Sequence, residues 1–145
     1  TNWKEVGGAD EKITLVGRPS NSGTRALFKQ YALNNSEEAS TTLSSDDSGE
    51  LEKMVSTTKG SIGYLALSYL AGKDRVNRVS LNGVEPTLEN IYSGKYNVWG
   101  NEHMYTYGEA KGAAKAFIDY IQSKDFEGSM EKMGYNVSSK MQVKR

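Results

Sequence analysis

The segment from residue 12 to residue 33 changes from a strand pattern to a helical pattern within a few residues, which restricts the possible folds more than any other feature. Residues 12–16 (KITLV) are apolar and rich in β-branched side chains, which predicts a short buried strand. After a loop through Asn21, the apolar residues recur at helical spacing from Ser22 to the Asn34-Asn35 pair. A strand that leads through a loop into a helix is the basic unit of an α/β fold.

The same alternation continues along the chain. Residues 35–48 are polar and predict a surface loop, and Ser48 is placed to cap the helix that follows it. Two further strands are predicted, at residues 61–67 and 76–81. Helices are predicted at residues 50–57, 87–92, 111–122 and 125–133. The order of elements predicts an α/β domain with helices on the faces of a sheet.

Composition excludes several classes of chemistry. The chain has 145 residues, which suits one domain with its own core. It has no cysteine and one histidine, His103, so thiol catalysis, iron–sulfur clusters and histidine-rich metal sites are excluded. Eighteen basic residues balance eighteen acidic ones, which argues against a nucleic-acid partner. These exclusions favour a binding protein over an enzyme.

The loop from Gly17 to Arg25 carries the chemistry that points to a ligand. The first turn of the helix after it has backbone N–H groups without intrahelical acceptors, and the helix dipole is positive there. Gly23 lets a ligand approach the backbone, and the hydroxyls of Ser22 and Thr24 can donate to an oxyanion. Arg18 adds a planar guanidinium suited to tetrahedral oxyanions. An anion site is therefore predicted here.

A simpler interpretation of the loop is equally compatible with the spacing. A serine at the start of a helix is ordinarily an N-cap worth about 1 kcal/mol, and Arg18 and Arg25 could be surface charges. The residues alone leave both interpretations open.

The sequence also resembles the periplasmic-type phosphate-binding proteins of ABC transporters. The pattern Arg18-x-x-x-Ser22-Gly23-Thr24-Arg25, followed by Phe28, is similar to the phosphate-binding loop of that family. Similar segments occur in the same order at residues 2–8 (NWKEVGG), 60–65 (GSIGYL), 99–107 (WGNEHMYTY) and 117–123 (FIDYIQS). The resemblance covers nearly the whole chain, so it is more specific than one short motif.

The resemblance implies one lobe of a type 2 periplasmic-binding-protein fold, with a mixed β-sheet flanked by helices. Residues 1–145 would form a single lobe, with its core in 1–97 and a return segment with the C-terminal helices in 98–145. The N-terminal lobe is expected to be absent from this chain, which begins without an initiator methionine. The family's phosphate-binding residues carry over to Arg18, Ser22, Gly23 and Thr24 only.

The resemblance also implies the biological setting. The expected partners are inorganic phosphate, the permease subunits of an ABC transporter and the missing N-terminal lobe, with no cofactor, no metal and no nucleic acid. The expected location is extracytoplasmic, on a lipid anchor at the surface of a Gram-positive bacterium. No enzymatic activity is expected.

Two departures from the family pattern leave alternatives open. Many members have an acidic residue where Ser20 stands and a glycine where Asn21 stands, so Arg18 is expected to be held less rigidly. The alternatives are a lobe for another oxyanion such as sulfate, a protein-interaction module, and a phosphoesterase that uses the loop as an oxyanion clamp. His103 is expected to be packed or half-exposed. The following aromatic residues are expected to face an interlobe surface: Tyr96, Trp99, Tyr105 and Tyr107.

Overall fold

The structure is a computed structural model that describes all residues from 1 to 145. Its strands are β1 (Thr14–Gly17), β2 (Leu43–Ser44) and β3 (Ser61–Gly63). Its α-helices are α1 (Gly23–Tyr31), α2 (Ser48–Thr57), α3 (Leu88–Tyr92), α4 (Gly112–Ile121) and α5 (Lys124–Lys132). Short 3-10 helices lie at Trp3–Val6, Leu67–Leu70 and Ser138–Lys140. No helix combines the length and the apolar character needed to cross a membrane.

The three strands form a parallel sheet in the order β2-β1-β3. Val16 of β1 pairs with Leu43 on one side and with Gly63 on the other. The α/β class is confirmed, but all strand pairs are parallel, and antiparallel pairing occurs only as isolated bridges. Because β1 is central, its carboxyl end lies in the middle of the sheet edge where ligands of α/β proteins bind.

Helix α2 packs over the sheet and supplies the centre of the core. Leu51 of α2 is fully buried, and Val16 of β1 is 2% exposed. A Cβ on Gly63 would lie 3.0 Å from the Val16 carbonyl oxygen and 3.2 Å from Leu51 Cδ2, so glycine permits this close packing.

The cap of α2 differs from the prediction. Asp47, not Ser48, is the N-cap residue, and its side chain accepts from the Glu50 backbone N–H at 2.7 Å. Ser48 is the first helical residue, and its hydroxyl accepts a hydrogen bond from Arg18. Both residue types cap helices well, so local sequence cannot choose between neighbours.

The strand predictions were too generous. Residues 76–81 form no strand: Leu81 makes only an isolated bridge to Val84, and Val79 is 63% exposed. The predicted strand at 61–67 ends at Gly63, and Leu67 already begins a 3-10 helix. Conversely, the predicted loop at residues 35–48 contains β2, although its sequence shows no strand pattern. A strand forms only where a neighbouring strand is available for pairing, and this depends on the tertiary structure.

The core is small for a chain of this length. Only 11 of 145 residues are buried, and five of these are hydrophobic. Helix α4 has no buried residue, and its Phe117 and Tyr120 are 61% and 55% exposed. The large side chains of this helix are therefore mostly uncovered.

Tyr92 at the end of α3 ties the C-terminal part of the chain together. Its hydroxyl donates to Glu131 at 2.8 Å and accepts from the Val137 backbone N–H at 3.0 Å. Its backbone oxygen accepts from the Gln142 N–H at 2.9 Å. Burial, with a further contribution from the bond to Glu131, raises the pKa of Tyr92 to about 12.

Replacing Tyr92 by phenylalanine should lower the free energy of unfolding by about 1–2 kcal/mol at pH 7, because the half-buried N–H of Val137 loses its acceptor. The raised pKa means that the folded state prefers the neutral phenol of Tyr92. This preference adds its full contribution to the free energy of unfolding below pH 10.0, the ordinary pKa, and the contribution is lost as the pH rises through about 12. Urea unfolding from pH 8 to 12 should therefore show a shallower alkaline loss in Tyr92→Phe than in the parent.

Tyr135→Phe is the matched control, because the Tyr135 side chain is also half-buried but its hydroxyl makes no hydrogen bond. Equal effects of the two substitutions would show that Tyr92 has no special role.

Candidate anion-binding site

A cavity of about 710 Å³ opens at the carboxyl end of β1, where the loop enters α1. All four predicted phosphate-binding residues line it, so the fold brings Arg18, Ser22, Gly23 and Thr24 to one wall. The other lining residues are Asn21, Leu27, Tyr31, Asp46, Trp99, Gly100, Asn101, Glu102, His103 and Arg145. The assignment of Arg18, Ser22, Gly23 and Thr24 as ligands of phosphate remains a prediction.

Arg18 is held tightly by neutral oxygens. It is only 4% exposed, although it lines the cavity. Its Nη1 donates to the Asp46 carbonyl at 3.0 Å, its Nε donates to the Tyr64 carbonyl at 3.4 Å, and its Nη2 donates to the Ser48 hydroxyl. No carboxylate forms an ion pair with it. The expectation of a loosely held Arg18 is wrong, because two carbonyls and a hydroxyl replace the missing acidic partner.

This arrangement leaves Arg18 ready to accept an anion. A guanidinium has five N–H donors, and three are used here, so two remain. A buried positive charge without a counter-charge is costly, and an anion in the adjoining cavity removes that cost. The guanidinium shape matches two oxygens of a tetrahedral oxyanion.

The start of α1 contributes neutral donors to the same wall. Ser22 is the N-cap residue, 7% exposed, and its Oγ accepts from the Arg25 backbone N–H at 3.3 Å. The hydroxyl still has its own proton to donate, so capping and anion binding are compatible. No hydrogen bond uses the backbone N–H groups of Gly23 and Thr24. A Cβ at Gly23 would meet no atom within 4 Å, so its open face is available to a ligand.

A second arginine fixes the loop from behind. Arg25 Nη1 donates to the Arg18 backbone oxygen at 2.8 Å, and its Nη2 pairs with Glu38 at 3.3 Å. The Tyr64 hydroxyl donates to the other oxygen of Glu38 at 2.7 Å, and its ring stacks on Phe28 at 4.2 Å. Burial and the Glu38 carboxylate both raise the pKa of Tyr64, so this hydroxyl keeps its proton.

Sequence reasoning missed the roles of Glu38 and Tyr64. Glu38 lies in a polar loop with no local pattern, and Tyr64 follows the short strand β3, far from the loop in sequence. Arg25 was considered only as a surface charge or a motif position. The one signal available in the sequence is that Phe28 and Tyr64 both belong to segments that resemble the family.

The opposite wall of the cavity comes from residues 99–103. Asn97 Nδ2 donates to the Tyr31 carbonyl at 3.3 Å, and a Cβ on Gly100 would lie 2.9 Å from Leu27, so this segment packs against α1. His103 is exposed rather than packed, and the pair Tyr105 and Tyr107 is almost fully exposed. Of the two alternatives for His103, the packed one is wrong, because no element covers residues 101–109.

The cavity wall offers several hydrogen-bond donors to an anion. No group of three or more acidic or histidine side chains is placed to hold a metal ion. The site has a buried guanidinium, two unused backbone donors and two hydroxyls on one side. Tetrahedral oxyanions suit this set of donors.

Comparison with known proteins identifies the family. Residues 1–125 match the model of the PBP superfamily domain. The chain belongs to this superfamily. It is 47% identical to the phosphate-binding protein PstS of Bacillus subtilis over 145 residues, which cover 99% of this chain and 48% of that protein. It is 33% identical to the PstS protein of Borreliella burgdorferi over 144 residues, which cover 92% of this chain and 52% of that protein.

Solved structures of this superfamily agree with the fold. A protein of Clostridium perfringens, described as a phosphate ABC transporter substrate-binding protein and solved with bound phosphate, has a TM-score of 0.79 and 32% identity. The match covers 92% of this chain and 55% of that one. PstS of Borrelia burgdorferi gives 0.66 and 29%, over 94% of this chain and 57% of that one. The chain thus spans about half the length of the relatives it matches.

Glu38→Gln should lower the free energy of unfolding by about 1–2 kcal/mol, because Arg25 loses its ion-pair partner in a largely buried contact. Glu37→Gln is the control: Glu37 is exposed and pairs with Lys29 at the surface, so its effect on stability should be clearly smaller. Urea denaturation of both variants at pH 7 measures the difference. Equal stability of the two variants would contradict the supporting role of Glu38.

Proposed function

We propose that this chain is the phosphate-binding lobe of an extracytoplasmic solute-binding protein that delivers inorganic phosphate to an ABC transporter. Arg18, Ser22, Gly23 and Thr24 are its phosphate ligands. The protein binds and releases phosphate unchanged and is not an enzyme. This function is supported by its relatives, which are named phosphate-binding proteins and a phosphate ABC transporter substrate-binding protein.

The observation that carries the proposal is the state of Arg18. It is buried, it has no carboxylate partner, and two of its donors are unused beside an open cavity. A merely structural arginine in this position would be expected to pair with an acid, as Arg25 does with Glu38. The unused N–H groups at Gly23 and Thr24 support the same ligand.

The rest of the protein completes the site in this proposal. Three or four charge-assisted hydrogen bonds give roughly 5–10 kcal/mol gross, against an association cost of roughly 4 kcal/mol or more. The chain by itself should therefore bind phosphate near the 1 mM range. A second, N-terminal lobe supplies further donors and excludes water, and the relatives are about twice as long as the match.

The division of the chain follows from the same proposal. Residues 1–145 form one lobe, with its core in residues 1–97 and the return segment and C-terminal helices in residues 98–145. The uncovered apolar face of α4, with Phe117 and Tyr120 exposed, is where the N-terminal lobe packs. The partners are the permease subunits, and the protein is held at a Gram-positive cell surface by a lipid anchor.

Arg18→Met in the protein that carries this chain should weaken phosphate binding at least about 100-fold, because two charge-assisted bonds worth about 1.5–3 kcal/mol each are lost. Titration calorimetry at fixed ionic strength measures the loss. Arg75→Met is the control, since Arg75 is exposed and has no hydrogen-bond or ion-pair partner. Unchanged affinity in Arg18→Met would remove the proposed function.

An amide NMR titration of the same protein separates the alternatives. Saturable shifts at residues 22–25 that are stronger with phosphate than with sulfate support a phosphate site. Equal shifts with both anions favour a general oxyanion lobe. No shift with either anion, together with concentration-dependent dimerisation, favours an interaction module that uses the exposed aromatic face.

A further inference from the structure

Arg145 reaches the same cavity as Arg18 from the other end of the chain. Its guanidinium carbon lies 3.5 Å from the centre of the Tyr31 ring and 4.3 Å from the centre of the Trp99 ring. Tyr31 belongs to α1 and Trp99 to the segment that forms the opposite wall. The cation is therefore placed between the two walls of the cavity, and all three residues line it.

The guanidinium also anchors the backbone of the opposite wall. Its Nη1 donates to the Trp99 carbonyl and its Nη2 donates to the Asn97 carbonyl. Residues 97–101 have no regular secondary structure, so few other bonds fix their carbonyls. The remaining links to α1 are the bond from Asn97 to Tyr31 and the contact of Gly100 with Leu27.

The tail that carries Arg145 is itself held in place. Gln142 donates to the Tyr92 carbonyl at 2.9 Å, and Val143 packs so closely on Gly94 that a Cβ there would lie 2.6 Å from it. These contacts hold the tail close to the cavity, where Arg145 reaches its wall. An exposed arginine with a random orientation would not combine two ring contacts with two carbonyl bonds.

We propose that Arg145 is a positioning residue of the anion cavity. It holds residues 97–101 against α1, which preforms the wall opposite Arg18, and it fixes a second guanidinium charge at that wall. The expected effect on phosphate rests on the proposed function. The contacts of Arg145 with residues 97–101 and with the Tyr31 ring, called the Arg145 clamp below, are a property of the fold. Arg145 has three N–H donors that the two carbonyls do not use, so its charge still acts on an anion in the cavity.

Three variants in the protein that carries this chain test the proposal. Arg145→Met removes the charge and both carbonyl bonds and should raise the dissociation constant for inorganic phosphate about tenfold, or about 1.4 kcal/mol. Arg145→Lys keeps a cation that can stack on the rings and should restore the affinity to within about threefold. Lys144→Met removes one charge from the neighbouring position outside the cavity and should change the affinity less than about twofold.

Hydrogen exchange provides a readout that does not depend on phosphate. The backbone amides of residues 97–101 should exchange faster in Arg145→Met than in the parent and in Lys144→Met, while the melting temperature stays the same. Lysine keeps the charge but cannot span both carbonyls, so exchange in Arg145→Lys should lie between the parent and Arg145→Met, which separates the positioning of residues 97–101 from the charge.

The outcomes separate the two proposals. If the parent binds phosphate and Arg145→Met binds it equally well, or if Lys144→Met loses as much, the inference about Arg145 is overturned. If the parent does not bind phosphate, the proposed function fails, and hydrogen exchange alone tests the Arg145 clamp. Unchanged exchange in Arg145→Met then overturns it, and faster exchange supports it.

Discussion

The rest of the site depends on one buried guanidinium. Arg18 follows the central strand of a parallel sheet, so its backbone is fixed on both sides before its side chain enters the cavity. Neutral oxygens from the α2 start and from the end of β3 orient it without neutralising it. A carboxylate in their place would hold the arginine equally well but would cancel the charge that an anion needs. The neutral partners of Arg18 thus leave its positive charge uncompensated.

Two other charges of low exposure, Arg25 and Glu52, have ion-pair partners, which sets Arg18 apart. Arg25 pairs with Glu38 behind the loop, and Lys73 pairs with the buried Glu52 on α2 at 2.9 Å. The pair of Arg25 and Glu38 has a second use, because Arg25 also holds the Arg18 carbonyl and Glu38 also holds Tyr64. One arginine therefore supports the backbone of the other. Arg25 is paired because it supports the backbone of the loop, whereas Arg18, seven residues earlier, keeps its charge unpaired at the cavity.

The cavity is closed from one side only. Residues 99–103 and the tail at Arg145 form a wall that packs on α1, but the segment 101–109 and the apolar face of α4 are uncovered. The core is small, and the chain spans about half the length of the relatives it matches.

The α/β class and the strand and helix on either side of the loop are predictable from the sequence, because β-branched runs and helical spacing are short-range patterns. The resemblance to the family adds the prediction of Arg18, Ser22, Gly23 and Thr24 as site residues. The existence of β2, the absence of a strand at residues 76–81 and the capping of α2 by Asp47 rather than Ser48 depend on tertiary contacts. The tertiary structure also decided that Glu38, Tyr64 and Arg145 surround the loop, because contacts between residues distant in sequence leave no local pattern.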